Sequence, residues 1–372
     1  MKKKFNTKLI VVAILAVTCF YACKKDMSTT PINGSVPHNG FGSDNSATPI
    51  LQTNLVASGL GMGALIIDPG LKNPMGLAAS LTSPAWIADN KTNESTIYDR
   101  HTGLTLLPPV GVRGQSNNPG APTGVIFNST ADFGGNKFIF AALDGTISAW
   151  GAGIMTTVVI DRSGSNAEYT GLAIAFNGLN NNNYLYACNF NAGTIDVFDK
   201  NFNYIPGLPV ATDPNIPAGY APYNIVNIGG DLYVTYAQQD PPSGFFARAG
   251  MGFGIVDVLD NHGEFLRRLA TSGDLNAPWG IALAPAGFAG PNETLLVANN
   301  GSGRIDMFDL NGTYQGQLLA LSKHLTIDGL WGIDFFKGNQ HGVGAATDSL
   351  YFTAGPKVPS RNQGLFGFLT NH

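Results

Sequence analysis

Six stretches of the chain repeat one short alternation of turn-forming and apolar positions. They are NPMGLAAS (73–80), APTGVIFN (121–128), EYTGLAIAF (168–176), APYNIVNI (221–228), APWGIALAP (277–285) and DGLWGIDFF (328–336). Taking Gly76, Gly124, Gly171, Asn224, Gly280 and Gly332 as equivalent, successive repeats lie 48, 47, 53, 56 and 52 residues apart. That spacing is close to the ~40–50 residues of a propeller blade. A second apolar run follows each phrase: AWIADN, KFIFAALDG, YLYACNFNAG, DLYVTYAQQ, TLLVANNGSG and SLYFTAG. A third follows that: STIYDR, GTISAW, GTIDVFD, GIVDVLD, GRIDMFD and GLFGFL. The runs are short, β-branched and aromatic, and bounded by Gly, Asn and Asp, which predicts strands. Asn300-Gly301, Asp144-Gly145 and Ala192-Gly193 suit tight hairpins between the second and third runs. DNHG (260–263) and DLNG (309–312) lead into a fourth. No long, capped helical period is present after the N-terminal segment. The prediction is an all-β fold, a six-bladed β-propeller with four antiparallel strands per blade.

The repetition has a physical cause. Each blade is a sheet with two apolar faces that only neighbouring blades can cover, so every blade solves the same packing problem. The glycine in five of the six phrases is expected to let the innermost strand approach the crowded axis. The sixth unit ends at its third strand, GLFGFLTNH, and LQTNLVASG (51–59) has no unit of its own. That N-terminal strand is predicted to complete the last blade, because an open sheet edge would otherwise remain.

Composition agrees. Of 372 residues, 44% are hydrophobic and only 12% charged, with 47 Gly and 22 Pro, which suits short strands and turns. The net charge of −4 provides no basic stripe, so no nucleic-acid partner is expected. Residues 1–22 read as a signal peptide, with Lys2, Lys3, Lys4 and Lys8 before an apolar run from Leu9 to Val17 that is too short to span a bilayer. Ala22-Cys23 resembles a lipobox, although Phe20 stands where Leu is usual. Cys23 is the expected lipidation site, with acyl chains supplying membrane affinity. The predicted location is an exported chain lipid-anchored to the cell envelope, at the outer membrane. Residues 23–50, polar and with Pro31, Pro37 and Pro49, read as a flexible tether. The propeller then occupies 51–372. Cys19 leaves with the signal, so Cys188 has no disulfide partner and reads as a buried apolar residue.

The pattern P-x-G-[IL]-A, then an A-[DN]-N strand end, then G-x-I-x-x-[FY]-[DN], resembles NHL-repeat propellers. The wider sequence resembles an uncharacterised bacterial secreted family of that class, over residues 51–369, through NLVAS, IDPGLKNPMGLAASLTSPAWIADN, STIYD, LDGTISAW and LWGIDF. The resemblance implies the fold and no chemistry. NHL propellers elsewhere bind proteins or RNA, and related six-bladed rings include calcium-dependent lactonases. Met75 departs from the usual Trp. A lactonase site cannot be carried over, because no Glu stands near Asn73.

Candidate chemistry is sparse. The six His are scattered and no HExxH or G-x-S-x-G occurs. DKNFNY (199–204) begins like a calcium loop but has Tyr204 and Val210 where Gly and Glu belong, so it reads as a turn. GMGFG (250–254) lacks the strand-turn-helix context of a phosphate loop. The remaining candidates end the second strand of successive blades: Asp89, Asn90, Asp144, Asn189, Gln238, Asn299 and Asn300. Gathered on one face, their oxygens could hold Ca²⁺ or a sugar; turn propensity alone also explains them. No other cofactor is evident. The insert 239–250, QDPPSGFFARAG, offers Phe245, Phe246 and Arg248, either as a binding surface or folded back onto the ring. Two functions stay open. One is a monomeric binding or scaffold module for a protein, glycan or envelope ligand. The other is a metal-dependent lactonase or hydrolase working in the central channel, which requires convergent oxygen ligands and an acid/base group.

Overall fold

A computed structural model describes residues 49–178, 181–208, 210, 213–241, 247–320, 323–336, 349–357 and 362–371. The signal, Cys23 and all of the tether but its last two residues lie outside these, as do Phe245 and Phe246. Six antiparallel sheets follow one another along the chain: blade 1 over 74–111, blade 2 over 122–161, blade 3 over 169–198, blade 4 over 220–271, blade 5 over 278–317 and blade 6 over 330–371. Their first strands touch in sequence, and that of blade 6 returns to that of blade 1, so the six form a closed propeller. The N-terminal strand Ile50–Ala57 pairs antiparallel with Leu365–Asn371, from Ile50 opposite Asn371 to Ala57 opposite Leu365. It is the outer strand of blade 6, one residue longer at its start than the sequence indicated.

Two blades depart from four strands. Blade 6 gains a fifth, Ile66–Ile67, parallel to Val56–Ala57. Blade 3 shows three among the described residues. The chain after its third strand makes one bridge, Phe198 to Tyr204, and packs Ile205, Leu208, Val210 and Ile216 against the neighbouring core. Pro206, Pro214 and Pro217 in this stretch lack the N–H that a ladder requires.

The buried apolar residues described fall into seven clusters. Six are the seams between successive blades and the seventh lies over the axis. Nearly all of the apolar core is therefore between sheets, as the sheet-stacking argument requires. Cys188 is a fully buried free thiol in the seam between blades 3 and 4.

All six first strands carry a register shift at the same place: between Pro74 and Leu77, Pro122 and Val125, Tyr169 and Gly171, Pro222 and Asn224, Pro278 and Gly280, and Leu330 and Ile333. A bulge re-aims a side chain and sharpens the local twist. Here it coincides with the repeated glycine. A Cβ on Gly76 would stand 2.7 Å from Thr123 O and Val125 N, one on Gly124 3.2 Å from Gly171 Cα, and one on Gly280 2.6 Å from Trp331 O. The glycines thus admit the backbone of the next blade. They serve blade-to-blade contact and not merely approach to the axis.

Candidate binding face

The first strands line a channel whose cavity is about 90 Å³. Its walls are Gly, Ala, Leu, Ile, Val and Phe, with Asn224, Asn227 and Asp334 as the polar exceptions and Trp279 at one end. The end where the first strands begin is plugged. The residue before each equivalent position is Met75, Thr123, Thr170, Tyr223, Trp279 or Trp331, and the four large ones pack with Phe190 over the axis. Trp279 and Trp331 meet edge to face at 6.0 Å, Tyr223 lies 6.1 Å from Trp331, and Phe190 lies 4.9 Å from Tyr223. The two indoles are tied down: Trp279 Nε1 donates to Thr170 O at 3.0 Å across the ring, and Trp331 Nε1 to Asn73 Oδ1 at 3.2 Å.

Antiparallel pairing brings the second-strand ends to this same face, as the sequence indicated. The structure spends most of their polar atoms on the scaffold. Asp89 is fully buried and accepts from Thr96 N at 2.9 Å, and burial pushes its carboxyl well above the usual carboxylate range. Asp144 accepts from Gln115 N at 2.7 Å and from the Thr146 hydroxyl at 2.7 Å. Asn189 accepts from Glu168 N at 3.1 Å and donates to Asp196. Asn299 accepts from Asn276 N at 2.8 Å and donates to Asp306 Oδ2 at 2.9 Å. Burial raises the Asp306 carboxyl to about 6 despite hydrogen bonds from Gln317 and Asn299 that favour its charge. Asp257, in the equivalent place on blade 4, is pushed to about 7 by burial and by Asp213, against the pull of Arg268.

Each blade seam is crossed by a side-chain hydrogen bond near this face. Asn90 donates to Pro122 O (3.2 Å), Thr123 to Tyr169 O (2.8 Å) and Gln239 to Phe190 O (2.7 Å). Asn224 donates to Trp279 O (3.0 Å), Asn300 to Leu330 O (3.0 Å) and Thr353 to Met75 O. Asn90 and Asn300 are therefore seam fasteners. Asn224, where the other repeats have glycine, is another. Among the described residues no three His, Cys, Asp or Glu side chains gather as a metal would require.

Arg248 returns to the ring: its N donates to Gln238 O at 2.7 Å and its guanidinium lies 5.0 Å over the Phe253 ring. Ala247 bridges to Gln239 and packs against the aromatic plug.

Glu168 was not among the residues that sequence reasoning selected. Three positions before the central glycine, the six repeats carry Asn73, Ala121, Glu168, Ala221, Ala277 and Gly329. Glu168 is the one ionisable residue in that ring of positions, and aligning the phrases on their glycines would have shown it. Its side chain is only 6% exposed, its Oε2 is enclosed without a hydrogen-bond partner among the described residues, and burial pushes its carboxyl up to about 8. The equivalent Ala221 and Ala277 belong to the plug.

No protein-family model matches the chain. Among solved structures, a protein of unknown function from Bacteroides thetaiotaomicron matches 87% of this chain and 76% of its own at TM-score 0.52 and 10% identity. A streptogramin B lyase matches 88% of this chain and 98% of its own at TM-score 0.49 and 16% identity. At such identities only the fold is shared. By sequence, uncharacterised protein L690 of Acanthamoeba polyphaga mimivirus is 36% identical over 79% of this chain and 81% of its own. Protein R648 of the same virus is 36% identical over 79% and 76%. These relatives are viral and do not support a bacterial secreted family. The chain belongs to the family of the uncharacterised mimivirus proteins L690 and R648.

Proposed function

We propose that the protein is a binding module: a monomeric propeller, tethered to a membrane of the cell envelope through lipid on Cys23, that holds a protein or glycan ligand on its plugged face. One observation carries this reading. Most polar groups at the second-strand ends are spent on seams and turns, and the channel wall offers one carboxylate, Asp334, among the described residues. A hydrolase working in the channel requires several converging oxygen donors and an acid/base pair, and that wall does not supply them. Of the insert 239–250, Ala247 packs against the plug and its neighbour Arg248 is exposed. Arg and aromatic side chains are enriched where proteins bind partners.

The test uses residues 45–372, which form one compact unit, on glycan and peptide arrays, beside a variant with 242–246 replaced by Gly-Ser and Arg248→Ala. Binding that the variant loses at unchanged melting temperature supports the reading. Binding that survives, or turnover of a lactone or ester panel by the wild type, overturns it. A Cys23→Ala chain expressed in bacteria is expected to leave the membrane fraction.

A further inference from the structure

We propose that the outer wall of blades 1 and 2 rests on a lipid surface, at the end of the ring opposite the plug. Two segments build the contact, LTLLPP (104–109) and GAGIM (151–155); every residue in both is exposed and none is charged. Leu107, Pro108 and Ile154 line one groove together with Ile97, Val110 and Trp150. Backbone bonds fix the segments: Leu106 N donates to Ile97 O at 3.1 Å, and Gly111 N donates to Ile154 O at 2.9 Å, which joins blade 1 to blade 2. Ile154 is 71% exposed, Leu104 53% and Leu106 51%. A contiguous apolar patch of this kind marks a surface that meets a partner or a membrane.

Strand direction selects the occupant. Trp150 pairs with Phe138, and Phe138 with Phe127, the last residue of its first strand. Tyr98 pairs with Ala85, where the second strand of blade 1 starts, and bridges to Thr105. Both segments therefore begin where the first strands finish, away from the plug. Ile50 is at that end too, opposite Asn371 at the finish of the third strand of blade 6. Blade 6 adjoins blade 1, with Leu55 and Phe366 in one seam with Leu77 and Ile87. The chain thus enters the propeller one blade away from the patch. On the reading that Cys23 carries lipid, on which this inference rests, residues 24–49 are all that separates the anchor from this end, at most about 90 Å of chain. Such a tether makes docking intramolecular, so a modest apolar contact suffices to hold it. The docked ring turns its plugged face away from the lipid.

Trp150 supplies the readout, half-buried in the groove with its Nε1 donating to Gly153 O at 2.8 Å. Residues 24–372, with an N-terminal hexahistidine in place of the lipid, are held on phosphatidylcholine vesicles that contain a nickel-chelating lipid. Brominated acyl chains are expected to quench tryptophan emission relative to unbrominated ones. Trp150→Phe is expected to lose most of that quenching, because Trp279 and Trp331 are in the plug. Leu106→Asp with Ile154→Asp is expected to lose it at unchanged melting temperature. Met251→Asp, at an exposed position between the second and third strands of blade 4 at the plugged end, is expected to be quenched like the parent. Absence of quenching in the parent, quenching that survives in either patch variant, or its loss in Met251→Asp overturns the proposal. So does a dimer of residues 45–372 in sedimentation equilibrium that Ile154→Asp dissolves, which would assign the patch to a second copy. The hexahistidine replaces the lipid, so docking can fail while Cys23→Ala still leaves the membrane fraction, and the reverse.

Discussion

Leu55→Ala tests the closure of the ring. Leu55 lies in the N-terminal strand, is fully buried, and packs in the seam between blades 6 and 1 with Leu77, Ile87 and Phe366. Removing its side chain leaves a cavity in a seam fixed by paired strands on both sides, so relaxation is limited. The expected cost is ~2–5 kcal/mol, the range for large-to-small changes in cores. At about 2 °C per kcal/mol for a domain of this size, the melting temperature should fall by roughly 4–10 °C. Deleting 49–57 removes Ile50, Leu55 and Val56 together, each at most 2% exposed. At about 1.5–3 kcal/mol per buried side chain that is roughly 5–9 kcal/mol, comparable to the ~5–15 kcal/mol that holds a typical domain folded. It also bares the edge of Leu365–Asn371. Differential scanning calorimetry of residues 45–372 and both variants, with limited proteolysis of the folded protein, measures this. A deletion that melts as cooperatively and as high as the parent, or native protein whose residues 49–57 are cleaved away without loss of the fold, would refute the closure.

Three further outcomes follow from the seams. Gly76→Ala should lose ~1–3 kcal/mol by overpacking, since its Cβ meets backbone of blade 2; Gly59→Ala, with nothing within 4 Å, should melt like the parent, and equal melting of the two variants would sink the close-approach argument. The raised carboxyls of Asp306 (about 6) and Asp257 (about 7) bind protons in the folded state that the unfolded chain has released above about pH 4. Their contribution is whole below pH 4 and is lost as pH rises through 6 to 7, so a calorimetric pH series should show stability falling from pH 5 to 8, and a rise over that interval would contradict it. Cys188, fully buried with its thiol pushed upward by that burial, should ignore a thiol reagent until the protein unfolds; reaction at the free-thiol rate in native conditions would place it elsewhere.

Much of this architecture is written in local sequence. Strand runs, turn glycines and a period near 50 residues are short-range signals, and the blade repeats because every seam poses the same packing problem. Even ring closure was legible, since one strand lacked a unit and one unit lacked a strand. The fifth strand at Ile66–Ile67 was not, because two residues carry no period. That blade 3 shows no registered fourth strand among the described residues was visible only as its prolines. Which polar residues remain unspent was decided by the tertiary structure alone. Asn90, Asn300 and Asn224 look like turn or ligand residues in isolation, yet their partners are carbonyls 30 to 55 residues away. Glu168 looks ordinary in EYTGLAIAF. Only when six first strands converge is it buried with no partner for its Oε2 among the described residues, because burial depends on neighbours that the chain supplies from other blades.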